Sequence, residues 1–267
     1  MESKTILITG STDGIGRQTA IELAHFGHKV IIQGRNPERV KTVFDKIQKV
    51  TGNDGLDYVI ADLSSLAEVR KMAETIKSKY SVLDVLINNA GVFRRHKELS
   101  KDGYEMTFAV NHLAHFLLTN LLLDIIKNPE EGRIVTVSSM AHSSDIDFDN
   151  LQGEKFFDGY TAYAYSKLCN ILFTFHLAEK LSGTNVTANC LHPGVISTKL
   201  LHAGWGMGGG SLKQGAETSV YLATSKDVEN ISGKYFVSKR PAHPAAISFD
   251  AEVQKRLWDI SMEISGL

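Results

Sequence analysis

A tyrosine and a lysine four positions apart have the types and spacing needed for proton transfer. Tyr163 and Lys167 fall in a stretch of helical character, and i, i+4 spacing puts the phenol and the ammonium on one helical face. An ammonium stabilises tyrosinate and lowers the phenol pKa towards neutrality, so this tyrosine could give or take a proton while a hydride moves. In isolation, an ordinary pair on a surface helix is the commoner meaning of this spacing, and Tyr160 and Tyr165 show that tyrosines are plentiful nearby.

Two other polar residues could complete such a site. Ser139 follows a strand-like run, and its hydroxyl could hold a substrate oxygen as negative charge develops on it. Asn111 lies in a helical stretch that follows the segment Asn88-Asn89-Ala90-Gly91. These residues fall where predicted strands end or helices begin, which is the edge at which open α/β sheets place their ligands.

A glycine-rich turn after the first predicted strand could hold phosphate. The run is Thr9-Gly10-Ser11-Thr12-Asp13-Gly14-Ile15-Gly16, and a helical pattern follows it. Amides at a helix N-terminus favour negative charge, and glycines let a pyrophosphate approach the main chain closely. The spacing is G-x-x-x-G-x-G rather than G-x-G-x-x-G, and glycine also serves tight turns for steric reasons alone. The position between a strand and an amphipathic helix favours dinucleotide binding.

The end of the second predicted strand bears on which dinucleotide would bind. Dinucleotide folds usually have an acidic residue about 20 positions after the glycines to bind the ribose hydroxyls, but this chain has Gly34 and then Arg35 there. A guanidinium can pair with a 2′-phosphate in bidentate fashion, so the sequence favours NADP(H) over NAD(H). Asp62, after the third predicted strand, could accept from the adenine amine or cap the following helix, and both interpretations stay open.

Alternating strand-like and helix-like segments must position these residues. Six short apolar runs are typical of strands buried on both faces of a parallel sheet, namely 5–9, 29–33, 57–61, 84–88, 133–138 and 185–191. Apolar residues at helical spacing lie between them, as at Ile15, Thr19 and Leu23. The alternation predicts an α/β fold: a single doubly wound Rossmann-type domain, with a mostly parallel sheet and helices on both faces.

One domain over residues 1–267 is the economical interpretation, because the chain shows no internal repeat, low-complexity tract or linker. Two irregular stretches interrupt the pattern, 143–161 and 199–214. The second, predicted to be a substrate-side loop, combines five glycines with the bulky residues Leu200, Leu201, Trp205 and Met207. It could close over an apolar substrate as a lid with glycine joints, or be a poorly ordered loop with incidental apolar residues. The two interpretations stand level.

Composition excludes several classes of function. The 267 residues carry 29 basic and 30 acidic side chains, so the basic excess of a nucleic-acid-binding protein is missing. The first strand-like run begins at Thr5, so we expect neither a signal sequence nor a membrane anchor, and the longest apolar stretch, 116–126, is too short to span a bilayer. Cys169 and Cys190 are too few for a disulfide framework and are expected to be buried small hydrophobic residues. We therefore expect a cytoplasmic protein with no nucleic-acid partner.

Three histidines near the candidate site raise the question of a metal. His112 and His115 lie three apart in a helical stretch, and His142 follows Ser139. No carboxylate or cysteine spacing supplies the further ligands that a metal site would need. We therefore expect no metal and interpret these histidines as core or helix-surface residues.

Together the motifs resemble the short-chain dehydrogenase/reductase family over essentially the whole chain. The matching elements occur in order: Thr9-Gly10-x-x-x-Gly14-Ile15-Gly16, Asp62-Leu63, Asn88-Asn89-Ala90-Gly91, Asn111, Ser139, Tyr163-x-x-x-Lys167 and Pro193-Gly194. Each is modest alone, but the ordered set is highly specific, and the unusual glycine spacing is the family's own variant. Within the family, the chain is most similar to the retinol dehydrogenase-like branch, in the stretches 61–66, 103–123, 191–195 and 257–261.

The resemblance implies a role for each matching residue. Tyr163 would be the general acid/base, and Lys167 would lower its pKa and contact the nicotinamide ribose. Ser139 would polarise the carbonyl, and Asn111 would hold a water that relays protons through Lys167. Asn88 and Ala90 would line the adenosine side, whereas residues after Pro193-Gly194 would dock the carboxamide. The full predicted cofactor-binding set is Gly10, Ser11, Thr12, Gly14, Ile15, Gly16, Arg35, Asp62, Leu63, Asn88, Ala90, Tyr163, Lys167, Pro193, Gly194, Val195, Ile196 and Thr198.

These observations predict an oxidoreductase that interconverts a carbonyl and an alcohol by hydride transfer with NADP(H). The substrate would be a small, apolar molecule such as a retinal-like, lipid or xenobiotic carbonyl, and the family implies a homodimer or homotetramer. The alternative is a catalytically silent NADP(H)-binding sensor or scaffold, although such proteins usually lose the tyrosine or the lysine. An epimerase or dehydratase of the related longer branch is disfavoured by chain length and by the glycine spacing.

Overall fold

Eight strands hydrogen-bond side by side in the computed structural model, which describes residues 2–128 and 130–267. In chain order they are β1 Thr5–Ile8, β2 Lys29–Gly34, β3 Leu56–Ile60, β4 Val85–Asn88, β5 Gly132–Val137, β6 Val186–His192, β7 Tyr235–Val237 and β8 Arg240–Ala242. Their spatial order is β3-β2-β1-β4-β5-β6-β7-β8. All neighbours pair in parallel except β7 and β8, which are antiparallel. The predicted mostly parallel α/β sheet is confirmed.

Helices cover both faces of this sheet. The bounds are α1 Gly14–His25, α2 Pro37–Thr51, α3 Leu66–Lys79, α4 Met106–Phe108, α5 Ala114–Ile126, α6 Gly159–Lys180, α7 Lys199–Trp205, α8 Leu212–Thr224 and α9 Ala251–Ser265. Helices α1, α2 and α8 pack on one face, and α3, α5 and α6 pack on the other, with α9 outside α6. In β1, Ile6 and Ile8 join the first layer and Leu7 joins the second. Such two-sided burial explains why the strands are almost continuously apolar.

The hairpin formed by β7 and β8 was not among the predicted strands. Each strand has three residues, and β8 contains Pro241, which is tolerated because the strand lies at the edge of the sheet. The two turn residues, Ser238 and Lys239, have φ values of 48° and 63°. This left-handed backbone normally favours glycine or asparagine, so the sequence carries no recognisable turn signal here.

A long apolar helical stretch crosses the core beside the site. A π-helical turn, Ala109–Leu113, joins α4 to α5. In the part of the chain that the structure describes, the continuous run Met106–Ile126 is the one helix long and apolar enough to cross a membrane by length and composition. Most of this run is buried inside the protein, as expected of a core helix.

Candidate functional site

A cavity of about 590 Å³ opens at the carboxyl edge of the sheet, where β1 lies beside β4 and the strand order reverses. Ligands of doubly wound folds bind at this switch point, and the volume is in the range of ligand pockets. Most of the predicted site residues line it: Gly10, Thr12, Gly14, Ile15, Gly16, Arg35, Asp62, Leu63, Ala90, Ser139, Tyr163, Lys167, Pro193, Gly194, Val195, Ile196 and Thr198. Ser11, Asn88 and Asn111 do not line it.

The glycine-rich turn packs directly on the segment after β4. Gly10 has φ +62°, and a Cβ there would lie 2.8 Å from the Ala90 Cα. A Cβ at Gly16 would lie 2.5 Å from the Gly10 carbonyl oxygen. The Thr9 hydroxyl accepts hydrogen bonds from the backbone amides of Asn89 (2.9 Å) and Ala90 (3.0 Å). Only glycine fits this approach of two main chains, and the first residues of α1, Gly14, Ile15 and Gly16, line the cavity.

Asp13 and the residues after β2 form the far end of the cavity. Arg35 is exposed there and lines the cavity, whereas Arg39 pairs with the Asp13 carboxylate at 2.6 Å. Partial burial opposes ionisation of Asp13, but hydrogen bonds from Lys199, the Gly14 amide and Arg39 lower its pKa to about 2. No carboxylate follows β2 directly, since the next residues are Arg35 and Asn36.

Asp62 lies in the cavity wall and does not cap the helix that follows. Its Oδ1 accepts from the Ser64 amide (3.0 Å) and hydroxyl (2.9 Å), and Lys101 lies 3.2 Å away. Burial opposes ionisation, but these donors lower the pKa of Asp62. The cap of α3 is Ser65, whose side chain accepts from the Glu68 amide. The capping interpretation of Asp62 is therefore wrong.

Two predicted cofactor contacts are corrected by the direction of the side chains. Ser11 is fully buried, and its hydroxyl donates to the Ile8 carbonyl at 2.8 Å. Asn88 is also fully buried and donates to the Thr119 hydroxyl at 2.9 Å, which places it under α5. Because successive side chains of a strand point to opposite faces, the neighbouring Asn89 lines the cavity instead.

Ser139, Tyr163 and Lys167 line one part of the cavity. The Ser139 hydroxyl lies close enough to the Tyr163 phenol to lower its pKa. The Lys167 Nζ donates to the Val137 carbonyl at 3.0 Å and lies 5.6 Å from the centroid of the Tyr163 ring. The sequence therefore predicted correctly that these three side chains meet.

The pKa of Tyr163 differs from the sequence expectation. Burial raises it to about 12 although the Ser139 hydroxyl lowers it, and burial lowers the pKa of Lys167 to about 8. The expected shift of the phenol towards neutrality is wrong for this state of the site, because desolvation of the buried phenol is the largest influence on its pKa. The Tyr163 phenol is therefore protonated at neutral pH.

Asn111 lies behind the site and is fully buried in the π-helical turn. Its Oδ1 accepts from the Val92 amide (2.7 Å), and its Nδ2 donates to the Val92 carbonyl (3.0 Å) and to the Ser166 hydroxyl (3.0 Å). These three hydrogen bonds fix the segment after β4 against α6, and the Asn111 side chain does not line the cavity.

A buried imidazole connects this asparagine to the glycine-rich turn. His115 lies 2.9 Å from the Thr9 hydroxyl through Nε2 and 3.0 Å from the Asn111 carbonyl through Nδ1. Burial lowers the pKa of His115, and that of His112, to about 3, so both are neutral near pH 7. Over residues 2–128 and 130–267, no group of three or more His, Cys, Asp or Glu side chains is placed to hold a metal ion.

The stretch 199–214 forms the other wall, and part of it is helical. Thr198 caps α7, accepting from the Leu201 amide at 3.1 Å, and Gly206 ends the helix with φ +65°. A bridge between Ile196 and Gly210 closes the base of the segment. The expectation of an irregular loop is corrected: seven residues form a helix beside the cavity, and Leu200, Leu201, Trp205 and Met207 line it.

Aromatic side chains surround the end of α7. The Trp205 ring lies 5.5 Å from Tyr163, 5.6 Å from Tyr160 and 5.6 Å from Phe93, between centroids. The Tyr160 hydroxyl donates to the Gly204 carbonyl at 2.5 Å, and Arg95 Nε donates to the Ala203 carbonyl at 3.1 Å. Sequence reasoning missed Phe93 and Tyr160; the usable signal was that Tyr160 lies three residues before Tyr163 on a helix, and so on the same face.

Comparison with known proteins is consistent with this geometry. The family model for short chain dehydrogenases matches residues 4–205. The chain is 41% identical to mouse retinol dehydrogenase 14, with all of this chain and 87% of the relative covered. It is 38% identical to human polyprenol dehydrogenase, with 99% and 86% covered.

Solved structures share the fold. An uncharacterised protein from Mycobacterium paratuberculosis is 31% identical with a TM-score of 0.83, covering 98% of this chain and 93% of that one. A structure described as a short chain dehydrogenase from Escherichia coli CFT073 in complex with NADPH is 25% identical with a TM-score of 0.75, covering 90% and 98%. The chain belongs to the short chain dehydrogenase family and is retinol dehydrogenase-like within it.

Proposed function

We propose that the protein is an NADP(H)-dependent oxidoreductase that interconverts a carbonyl and an alcohol on an apolar small molecule. The observation that carries the proposal is the placement of Ser139, Tyr163 and Lys167 in the same cavity as the glycine-rich turn. Family membership supports the reaction class, and the neighbour complexed with NADPH supports the cofactor.

The cavity fits a dinucleotide. Gly10, Gly14 and Gly16 present main chain where a side chain would clash or intrude, and Asp13 caps the N-terminus of the twelve-residue helix α1. Amides at such a terminus would hold the pyrophosphate. Asp62, Leu63 and Ala90 would flank the adenosine portion, and 193–198 would flank the nicotinamide portion.

Arg35 would select the phosphorylated cofactor. Its exposed guanidinium can pair with a 2′-phosphate, and the Asp13 carboxylate, which also lines the cavity, is already paired with Arg39 and Lys199. In a fluorescence titration we expect NADPH to bind more tightly than NADH. An Arg35→Leu variant should lose the preference and keep its NADH affinity, and tighter binding of NADH to the wild type would refute this selection.

The chain's own residues divide the chemistry between them. The bound nicotinamide supplies or accepts the hydride. The Ser139 hydroxyl would hold the substrate oxygen, and the Tyr163 phenol, protonated at neutral pH, would donate its proton to that oxygen as the carbonyl is reduced. Lys167, charged below a pKa of about 8, would stabilise the tyrosinate left behind.

The substrate wall favours an apolar molecule. Leu200, Leu201, Trp205 and Met207 face the cavity beside Tyr163, and relatives carry the names retinol dehydrogenase and polyprenol dehydrogenase. We propose retinal-like, lipid or xenobiotic carbonyls as candidates. A panel of such carbonyls assayed with NADPH tests the proposal, and a protein that binds NADPH but turns over no carbonyl or alcohol would be the silent sensor or scaffold instead.

We also propose that the chain forms a single domain, which the continuous eight-stranded sheet supports. We further propose a cytoplasmic location and a homodimer or homotetramer. Sedimentation analysis of the purified protein tests the oligomer, and fractionation of cells expressing the full chain tests the location.

A further inference from the structure

Two imidazoles hold the turn that carries Ser139. The Met140 amide donates to His192 Nδ1 at 3.1 Å. On the opposite side, His142 Nδ1 lies 2.6 Å from the Ser139 carbonyl oxygen, and the Ala245 amide donates to His142 Nε2 at 3.0 Å. His142 is half-buried against the edge of the Tyr235 ring, with centroids 5.6 Å apart. His142 thus bridges the main chain beside the reacting serine to a segment a hundred residues further along the chain.

The partners of His142 fix its tautomer. A backbone N–H can only donate, so the Ala245 amide requires an unprotonated Nε2 on the imidazole. The single proton of the neutral ring must then sit on Nδ1, where the Ser139 carbonyl oxygen accepts it. The ring therefore accepts a hydrogen bond from the Ala245 amide and donates one to the Ser139 carbonyl oxygen.

We propose that His142 is a positioning residue for Ser139, an inference that rests on the proposed function. The Ser139 hydroxyl accepts from the Ala141 amide at 3.1 Å and lines the cavity together with Tyr163. Holding the Ser139 carbonyl fixes the peptide plane next to that side chain, and with it the direction in which the hydroxyl points. His142 itself lines no part of the cavity, so it acts on the reaction only through the serine.

Two substitutions separate the halves of the bridge. In His142→Asn, the amide nitrogen reaches the position of Nδ1 and can donate to the Ser139 carbonyl, but the contact with Ala245 is lost. In His142→Gln, the side chain reaches the position of Nε2 and can accept from Ala245, but the side-chain donor to Ser139 is lost, and only the backbone amide of residue 142 still donates to that carbonyl, at 3.3 Å. Each variant gives up one hydrogen bond, so the two serve as controls for each other.

The expected result is a difference in kcat with NADPH and a reactive carbonyl. His142→Gln should lower kcat by about tenfold, near the upper end of what one hydrogen bond contributes, and should leave KM and the NADPH Kd unchanged. His142→Asn should keep kcat near that of the wild type. If both variants lose kcat equally, in step with a fall in Tm, or if neither does, the positioning role is overturned.

A measurement without turnover tests the same geometry. Side-chain ¹H–¹⁵N correlation spectra of the wild type, assigned with His142→Asn, should show the tautomer protonated on Nδ1. The tautomer protonated on Nε2 would overturn the bridge whatever the activity. A wild type that shows the Nδ1 tautomer but reduces no carbonyl would refute the proposed function and the catalytic role of the bridge, while leaving the bridge itself in place.

Discussion

The two walls of the cavity are built in different ways. The cofactor wall (10–16, 33–35 and 89–91) is main chain packed on main chain, with the Gly10 and Ala90 backbones so close that a Cβ would clash. The substrate wall is formed by side chains of the segment 199–207, which holds a seven-residue helix: Leu200, Leu201, Trp205 and Met207 line the cavity. Phe93 and Tyr160 pack against Trp205, which is 36% exposed. The cofactor wall tolerates almost no change in shape, whereas single side chains of the substrate wall can be replaced one at a time. A family can therefore keep one cofactor while its substrates diverge.

Among changes to the two walls, the largest effect is expected from Gly10→Ala. A left-handed φ and a contact of 2.8 Å with the Ala90 Cα leave no room for the methyl group, so the turn must shift. We expect NADPH affinity to fall by about 100-fold or more, measured by fluorescence titration. The matched control is Gly27→Ala, where φ is +81° and no atom lies within 4 Å; it should lose some stability and keep its affinity. If both variants bound NADPH with equal affinity, the close packing of the cofactor wall would not be needed for cofactor binding.

His115 is a buried, neutral imidazole that lies under the cofactor wall. The pKa of His115 is about 3 in the folded protein and near 6.5 in an unfolded chain. The unfolded chain therefore binds the extra proton first, and stability falls as pH drops through this window. His115 accounts for about 2 kcal/mol of unfolding free energy between pH 7 and pH 5.

Urea unfolding at both pH values measures this contribution. His115→Gln should be less stable at pH 7 but should shrink the pH-dependent loss by about 2 kcal/mol. His25→Gln, on the exposed end of α1, should leave the loss unchanged. An unaltered pH dependence in His115→Gln would mean that this imidazole is not held neutral.

Substitutions in the substrate wall should change substrate binding and leave NADPH binding unchanged. Trp205→Leu removes ring contacts with Phe93, Tyr160 and Tyr163, worth about 1 to 1.5 kcal/mol. We expect KM for an apolar carbonyl to rise about tenfold, with the NADPH Kd unchanged. Phe249→Leu, an exposed aromatic residue outside the cavity, is the control. A loss of NADPH affinity in Trp205→Leu would show that the two walls are not independent.

The smallest effect is expected from Tyr160→Phe. This variant keeps the ring packing and removes only the hydrogen bond to the Gly204 carbonyl. KM should rise by at most about fivefold, the value of one net hydrogen bond. Tyr165→Phe, which removes a hydroxyl outside the cavity on the same helix, should leave steady-state kinetics unchanged. If Tyr160→Phe exceeds Trp205→Leu in effect, then the tether of α7 matters more than its aromatic packing.

The sequence predicted the cofactor wall well because local rules determine it. Buried strands are nearly continuous apolar runs, and the glycine-rich turn sits between one such run and an amphipathic helix. The i, i+4 spacing of Tyr163 and Lys167 likewise gave their shared face correctly. The prediction for Asn88 failed because successive side chains of a strand point to opposite faces: Asn88 points under α5, and Asn89 faces the cavity.

The substrate wall was harder to predict because its parts come from distant segments. Phe93, Tyr160 and Trp205 meet only through tertiary packing, and no local pattern reports that. The pKa of Tyr163 failed for a related reason, since burial and the position of Lys167 decide it and spacing gives neither. The hairpin of β7 and β8 was missed because its turn uses Ser238 and Lys239 in backbone that usually marks glycine.

The central claim, that Tyr163 passes the proton in an NADP(H)-dependent reaction, is tested most directly by Tyr163→Phe. This variant keeps the ring that packs on Phe93 and Trp205 and removes only the reacting hydroxyl. We expect the rate of carbonyl reduction, monitored through NADPH absorbance, to fall by about 10²- to 10⁴-fold, while NADPH affinity stays near that of the wild type. Turnover retained on several carbonyl substrates would contradict the claim that Tyr163 passes the proton.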